Sequence, residues 1–141
     1  MEGAKPRILC LDDKPENLRI RKTLLEQFGC DVVAVTDSCT CLHRVAQESF
    51  DLVLLDYHLD EQVTGADVAR DISAMLPEMP LVMLTGDPGI PKSAWECVDE
   101  VLIKGARGPG QLLETIQRLL PGNRIRPRRE SLISSSLSKT S

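Results

Sequence analysis

Three aspartates, one threonine and one lysine stand directly after short apolar runs. Asp12 and Asp13 follow Arg7–Leu11 (RILCL), Asp56 follows Asp51–Leu55 (DLVLL), Thr85 follows Pro80–Leu84 (PLVML) and Lys104 follows Glu100–Ile103 (EVLI). If these runs are strands of one parallel sheet, their polar endings converge on the edge where open α/β sheets bind ligands. Three carboxylates in one cleft repel: two unit charges ~4 Å apart cost about 4 kcal/mol at an effective dielectric near 20. Lys104 offsets one charge, and a divalent cation would offset the rest. Oxygen donors without Cys or His suit Mg²⁺, with Mn²⁺ as a substitute. Asp13 and Asp56 are expected as direct ligands, Asp12 as acting through water, and the backbone carbonyl of His58 as a further ligand. A carboxylate held beside Mg²⁺ can attack a phosphoryl group and form an acyl phosphate. Lys104 would stabilise charge on the equatorial oxygens, and the Thr85 hydroxyl would donate to one of them.

The elements that must position these groups follow from periodicity and punctuation. Pro15 at a first helical position opens a helix whose apolar set is Leu18, Leu24, Leu25 and Phe28, and Gly29 stops it. Asp31–Val35 is a β-branched strand. Ser38 is expected as the N-cap of a helix running to about Ser49. Gly65–Leu76 is helical in pattern. Pro88, Gly89 and Pro91 leave room only for a short fourth helix before Glu100, and Trp95 is expected to pack partly into the core beneath it. Leu112, Leu113, Ile116, Leu119 and Leu120 mark a last helix, closed by Pro121-Gly122. Five strands alternating with five helices predict right-handed βαβ units and a parallel sheet. The expected architecture is therefore α/β, a flavodoxin-like doubly wound sheet in the order 2-1-3-4-5 with a shortened fourth helix.

Composition agrees. The 141 residues suit one domain, and only Phe28, Phe50, Tyr57 and Trp95 are aromatic, so the core must be aliphatic. The net charge of −4 divides into +4 over residues 122–141 and −8 over the rest. An acidic domain repels phosphates, which argues against nucleic acid as a partner. The expected domain is 5–121, followed over 122–141 by a disordered basic, Ser-rich tail. The five cysteines include no CxxC pair and read as free thiols of a reducing cytosol. No stretch has the length and apolarity of a membrane span or a signal peptide, so the expected location is cytoplasmic.

Taken together, DDKPEN after strand one, LLDYHLD after strand three, LTG after strand four and LIKG after strand five resemble the receiver domain of two-component response regulators, over roughly residues 5–121. The resemblance implies a single-domain receiver that accepts a phosphoryl group on Asp56. The donor would be a sensor or hybrid histidine kinase or a phosphotransfer protein. Mg²⁺ would be required, the output would pass through a partner protein, and the phosphate would be lost by autocatalysed hydrolysis. Receivers often pair through the face carrying the fourth helix, which admits a homodimer. The positions of His58 and Asp87 flank the path of attacking water in this family. The expected result for His58→Ala is therefore a changed acyl-phosphate lifetime; equal lifetimes for the variant and the parent would remove that role.

The departures are specific. Gly105 stands where Pro often follows the lysine, and Asp60 where the family usually has Pro four residues past the phosphoacceptor. The Asp56-to-Gly65 interval is one residue longer than is common. Val101 replaces the aromatic ring that turns inward in many receivers. These differences support an alternative, a degenerate receiver that acts only as a protein-binding module. A haloacid-dehalogenase-type phosphatase would need an acid two residues after its nucleophile, whereas Asp12 is followed there by Lys14 and Asp13 by Pro15. The chain is accordingly expected not to be an enzyme with turnover, but a phosphoacceptor that assists its own phosphorylation and dephosphorylation.

Overall fold

The computed structural model describes residues 5–60, 62–105 and 108–120. The elements run β1 (Arg7–Leu11), α1 (Pro15–Gln27), β2 (Asp31–Val35), α2 (Ser38–Gln47), β3 (Leu52–Asp56), α3 (Gly65–Met75), β4 (Leu81–Thr85), α4 (Lys92–Trp95), β5 (Glu100–Ile103) and α5 (Pro109–Leu119). All strand pairs are parallel, in the order β2-β1-β3-β4-β5. This is the flavodoxin-like arrangement expected from the sequence, and α4 is a single turn. The end of the domain at 121 and the tail over 122–141 fall outside the described residues.

The central strands β1, β3 and β4 are buried on both faces, because side chains alternate across the pleat and helices cover both sides. Ile8, Cys10, Leu52, Leu54, Val82 and Leu84 face α1 and α5, where they meet Leu18, Leu25, Leu112 and Ile116. Leu9, Leu11, Val53 and Leu55 face α2 and α3, where they meet Cys41, Val45, Val68 and Ile72. Met83, Ala66, Ile90 and Ala94 close a smaller cluster under α4. Trp95 does not join it: the side chain is 41% exposed, because a four-residue helix has only one inward position and Ala94 occupies it.

Local chemistry sets the helix ends. α1 stops in a Schellman arrangement: Gly29, at φ 90°, donates to the Glu26 carbonyl, and Cys30 donates to the Leu25 carbonyl at 3.1 Å. The N-cap of α2 is Asp37, one residue before the expected Ser38. The Asp37 carboxylate accepts from the Thr40 N–H at 2.7 Å and from the Thr40 hydroxyl at 2.9 Å, satisfying an otherwise orphaned amide. α3 opens on a reciprocal capping box between Thr64 and Asp67.

Candidate functional site

Strand register decides which side chains meet. Leu11 lies beside Leu55, so Asp12 and Asp56 are the next residues along neighbouring strands. Asp56 lies beside Leu84, so Thr85 is one step further on. Lys104 follows β5, and its N–H donates to the Thr85 carbonyl at 2.7 Å. Carboxylate oxygens of Asp12, Asp13 and Asp56 all lie within 4.8 Å of one another. Asp12, Asp56 and Thr85 are buried and Asp13 is exposed, which places the cluster at the floor of an opening with Asp13 on its rim.

Each member has its own electrostatic state. Asp56 is 3% exposed. Lys104 Nζ is in ion-pair contact with Asp56 Oδ1, and that buried oxygen has no hydrogen-bond partner besides Lys104 among the described residues. Burial pushes the Asp56 carboxyl above its ordinary value and nearby Asp12 adds to this, while Lys104 and Arg21 oppose it without cancelling it. Asp12 has the opposite balance. Burial raises it, but the Lys14 N–H at 3.0 Å and the Arg21 guanidinium at 3.0 Å together hold it below the usual carboxylate value. Asn17 Nδ2 also donates to Asp12, at 3.2 Å.

The Thr85 hydroxyl closes a small turn: it accepts from the Asp87 N–H at 3.0 Å and donates to the Asp87 carbonyl at 3.3 Å. His58 is exposed, its backbone bridges antiparallel to Thr64, and its ring meets the edge of Tyr57 with centroids 4.9 Å apart. Val101 is half-buried, packs against the same small cluster as Tyr57 and presents no ring to the site.

Two residues shape the site in ways that the sequence pattern does not assign them. Arg21 lies on the core-facing stripe of α1 between Leu18 and Leu25; the i, i+3, i+7 spacing carries that signal, although its charge hides it from an apolar pattern. Gly65 begins α3 directly against the end of β3. Its N–H donates to the Tyr57 carbonyl at 2.8 Å, and an added Cβ would lie 3.0 Å from Tyr57 Cα and closer still to the Asp56 carbonyl oxygen.

The donor chemistry fits a small hard cation. The three clustered carboxylates offer oxygen only, and the buried Asp56 Oδ1 has no donor but Lys104 among the described residues. A parallel sheet in this order, with such an acid cluster at the carboxyl ends of its central strands, is the arrangement of a receiver-type fold. The chain belongs to the response regulator receiver domain family, whose pattern it matches over residues 8–107. It is 42% identical over 89 residues to the sensor protein GacS of Pseudomonas syringae pv. syringae; the match covers 60% of this chain and only 10% of GacS. Among solved structures, the response regulator TrrA of Thermotoga maritima in complex with Mg²⁺-BeF superimposes with a TM-score of 0.76 at 24% identity. That likeness is one of fold and covers 82% of this chain and 99% of TrrA. TrrA in complex with the histidine kinase ThkA gives a TM-score of 0.73 at 25% identity, covering 82% and 99%. No described helix is long and apolar enough to cross a membrane.

Proposed function

We propose that this receiver domain, over residues 5–121, takes a phosphoryl group onto Asp56 from a phosphohistidine of a histidine kinase or phosphotransfer protein and signals onward through a partner protein. The single observation that carries this reading is the buried Asp56 carboxylate in ion-pair contact with Lys104 and clustered with Asp12 and Asp13. Asp13 and Asp56 would hold Mg²⁺ directly, with the His58 carbonyl beside them. Asp12 would act through water, since both of its oxygens already accept hydrogen bonds from protein donors. When bound, Mg²⁺ supplies the positive charge that three crowded carboxylates and an incoming phosphoryl group require.

The remaining chemistry belongs to the chain. An Asp56 oxygen attacks phosphorus, the O–P bond forms, the P–N bond to the donor imidazole breaks, and its electron pair returns to the ring nitrogen. Lys104, already in contact with Asp56, neutralises charge on the transferred group. Thr85 turns its hydroxyl from the Asp87 carbonyl towards a phosphoryl oxygen, which couples the β4–α4 turn to the state of Asp56. Hydrolysis of the acyl phosphate at the same site returns the domain to its starting state. The five free thiols support a reducing, cytoplasmic setting.

Incubation with radiolabelled acetyl phosphate tests the reading. Label is expected to accumulate with Mg²⁺ and to fall to background after chelation. A chain that takes no label at millimolar Mg²⁺ is a binding module only.

A further inference from the structure

We infer that Arg21 is a fixed counter-cation of the acid pocket, neutralising Asp12 and thereby setting how tightly the pocket holds a divalent cation. The inference rests on the metal-assisted reading above and concerns the regulation of that same site.

Arg21 occupies a position that helical periodicity reserves for the core. Leu18 and Leu25 on the same stripe are 4% and 0% exposed, and the Arg21 side chain is 12% exposed. A guanidinium removed from water this far needs a compensating anion. It has one in Asp12 Oδ2 at 3.0 Å, and Asp12 is wholly buried. Lys14 N–H and Asn17 hold the same carboxylate from other directions, so its orientation is over-determined. The influence of Arg21 extends past this partner, since it also acts on Asp56. Arg21 and Lys104 line a common cavity of about 170 Å³ between α1 and the end of β5.

Three carboxylates therefore face two fixed cations, Arg21 and Lys104. The pocket presents one net negative charge to an incoming divalent ion, where the three acids with Lys104 alone would present two. Asp12 remains oriented but charge-compensated, which leaves direct coordination to Asp13 and Asp56. A merely structural Arg21 would predict that its removal loosens the site. A counter-cation predicts that its removal tightens it.

Calorimetric titration of the full chain with Mg²⁺ separates these cases, with urea unfolding of each variant as the check on folding. Arg21→Met is expected to bind Mg²⁺ about tenfold more tightly than the parent and Asp12→Asn about tenfold more weakly, while the double variant returns to within about threefold of the parent. Unchanged or weaker binding by a folded Arg21→Met overturns the inference. If Arg21→Met does not fold, the double variant decides, because it leaves no buried charge unpaired. Affinity near the parent supports the inference, and affinity equal to that of Asp12→Asn overturns it. A parent chain that takes up no Mg²⁺ at millimolar concentration removes the metal reading itself. A parent that binds Mg²⁺ while the Arg21 variants change nothing removes only the role of Arg21.

Discussion

Asp56→Asn is expected to take up no phosphoryl label and to be more stable than the parent at neutral pH without Mg²⁺. The first half follows from the loss of the nucleophile: an amide oxygen does not form an acyl phosphate, so labelling falls on the order of 10³-fold or more. The second half follows from burial. At 3% exposure the carboxylate is deprived of water, and Asp12 adds repulsion to what Lys104 relieves. The folded chain thus holds the Asp56 proton more tightly than the unfolded chain does. The stabilising contribution of a raised carboxyl is fully present below the ordinary value of 3.8 and is lost as pH rises through the folded value. Neutral pH is therefore where the parent bears the cost of the buried charge. Asn removes that cost, leaving Lys104, whose side chain is 35% exposed, free to turn to water. The expected gain is about 1 kcal/mol at pH 7, shrinking as pH falls towards 4. Asp12, held low, has the opposite linkage: its contribution is present above the ordinary value and is lost on acidification through its folded value, in parent and variant alike. Urea unfolding of both proteins across this range checks the sign. A stability gap that stays constant with pH would refute the buried-charge account, and retained labelling would move the acceptor elsewhere.

Much of this site is legible in the sequence because the central strands are almost wholly buried. A central parallel strand shows up as an unbroken apolar run, and its carboxyl end as the first polar residue after it. Asp12, Asp56, Thr85 and Lys104 can therefore be placed on one edge without any contact being known. Residues whose environment reverses their type are not legible in this way. Phe28 fits the apolar pattern of α1, yet it is the C-cap and half of it is exposed. Arg21 breaks the apolar pattern, yet it occupies the inward stripe, since Asp12 gives its charge a partner. Hydrophobicity and position usually agree, and a pattern argument assumes that they do. Where a buried anion changes the favourable partner from leucine to arginine, only the period of the helix retains the information. The N-cap of α2 illustrates a smaller ambiguity. Asp37 and Ser38 are both good caps, and the longer side chain one residue earlier takes the role because it reaches both the amide and the hydroxyl of Thr40.

The loop from Tyr57 to Thr64 shows how a residue without a side chain can govern the chemistry. It leaves β3 at Asp56 and must return the chain to α3 tightly enough that the first helical residue packs on the Asp56–Tyr57 peptide. Its ends are pinned by the His58–Thr64 bridge, the Gly65 N–H to the Tyr57 carbonyl and the Thr64–Asp67 capping box. Gly65 is buried, and its φ is outside the left-handed region, so its role is closeness of approach. A methyl group there meets the Asp56 carbonyl oxygen and the Tyr57 Cα, both backbone atoms of the strand end, which have no rotamer by which to retreat. Either α3 shifts outward, losing packing of Ala66, Val68 and Ile72, or β3 shifts and carries Asp56 away from Lys104. Gly65→Ala is therefore expected to lose about 3 kcal/mol in urea unfolding, at the upper end for one added methyl, with a parallel loss of acetyl-phosphate labelling in whatever fraction remains folded. Gly86→Ala is the control, since a Cβ there meets nothing within 4 Å; it should leave stability within about 0.5 kcal/mol of the parent. Equal effects at the two glycines would mean that α3 tolerates displacement, and that the placement of Asp56 depends on the sheet alone.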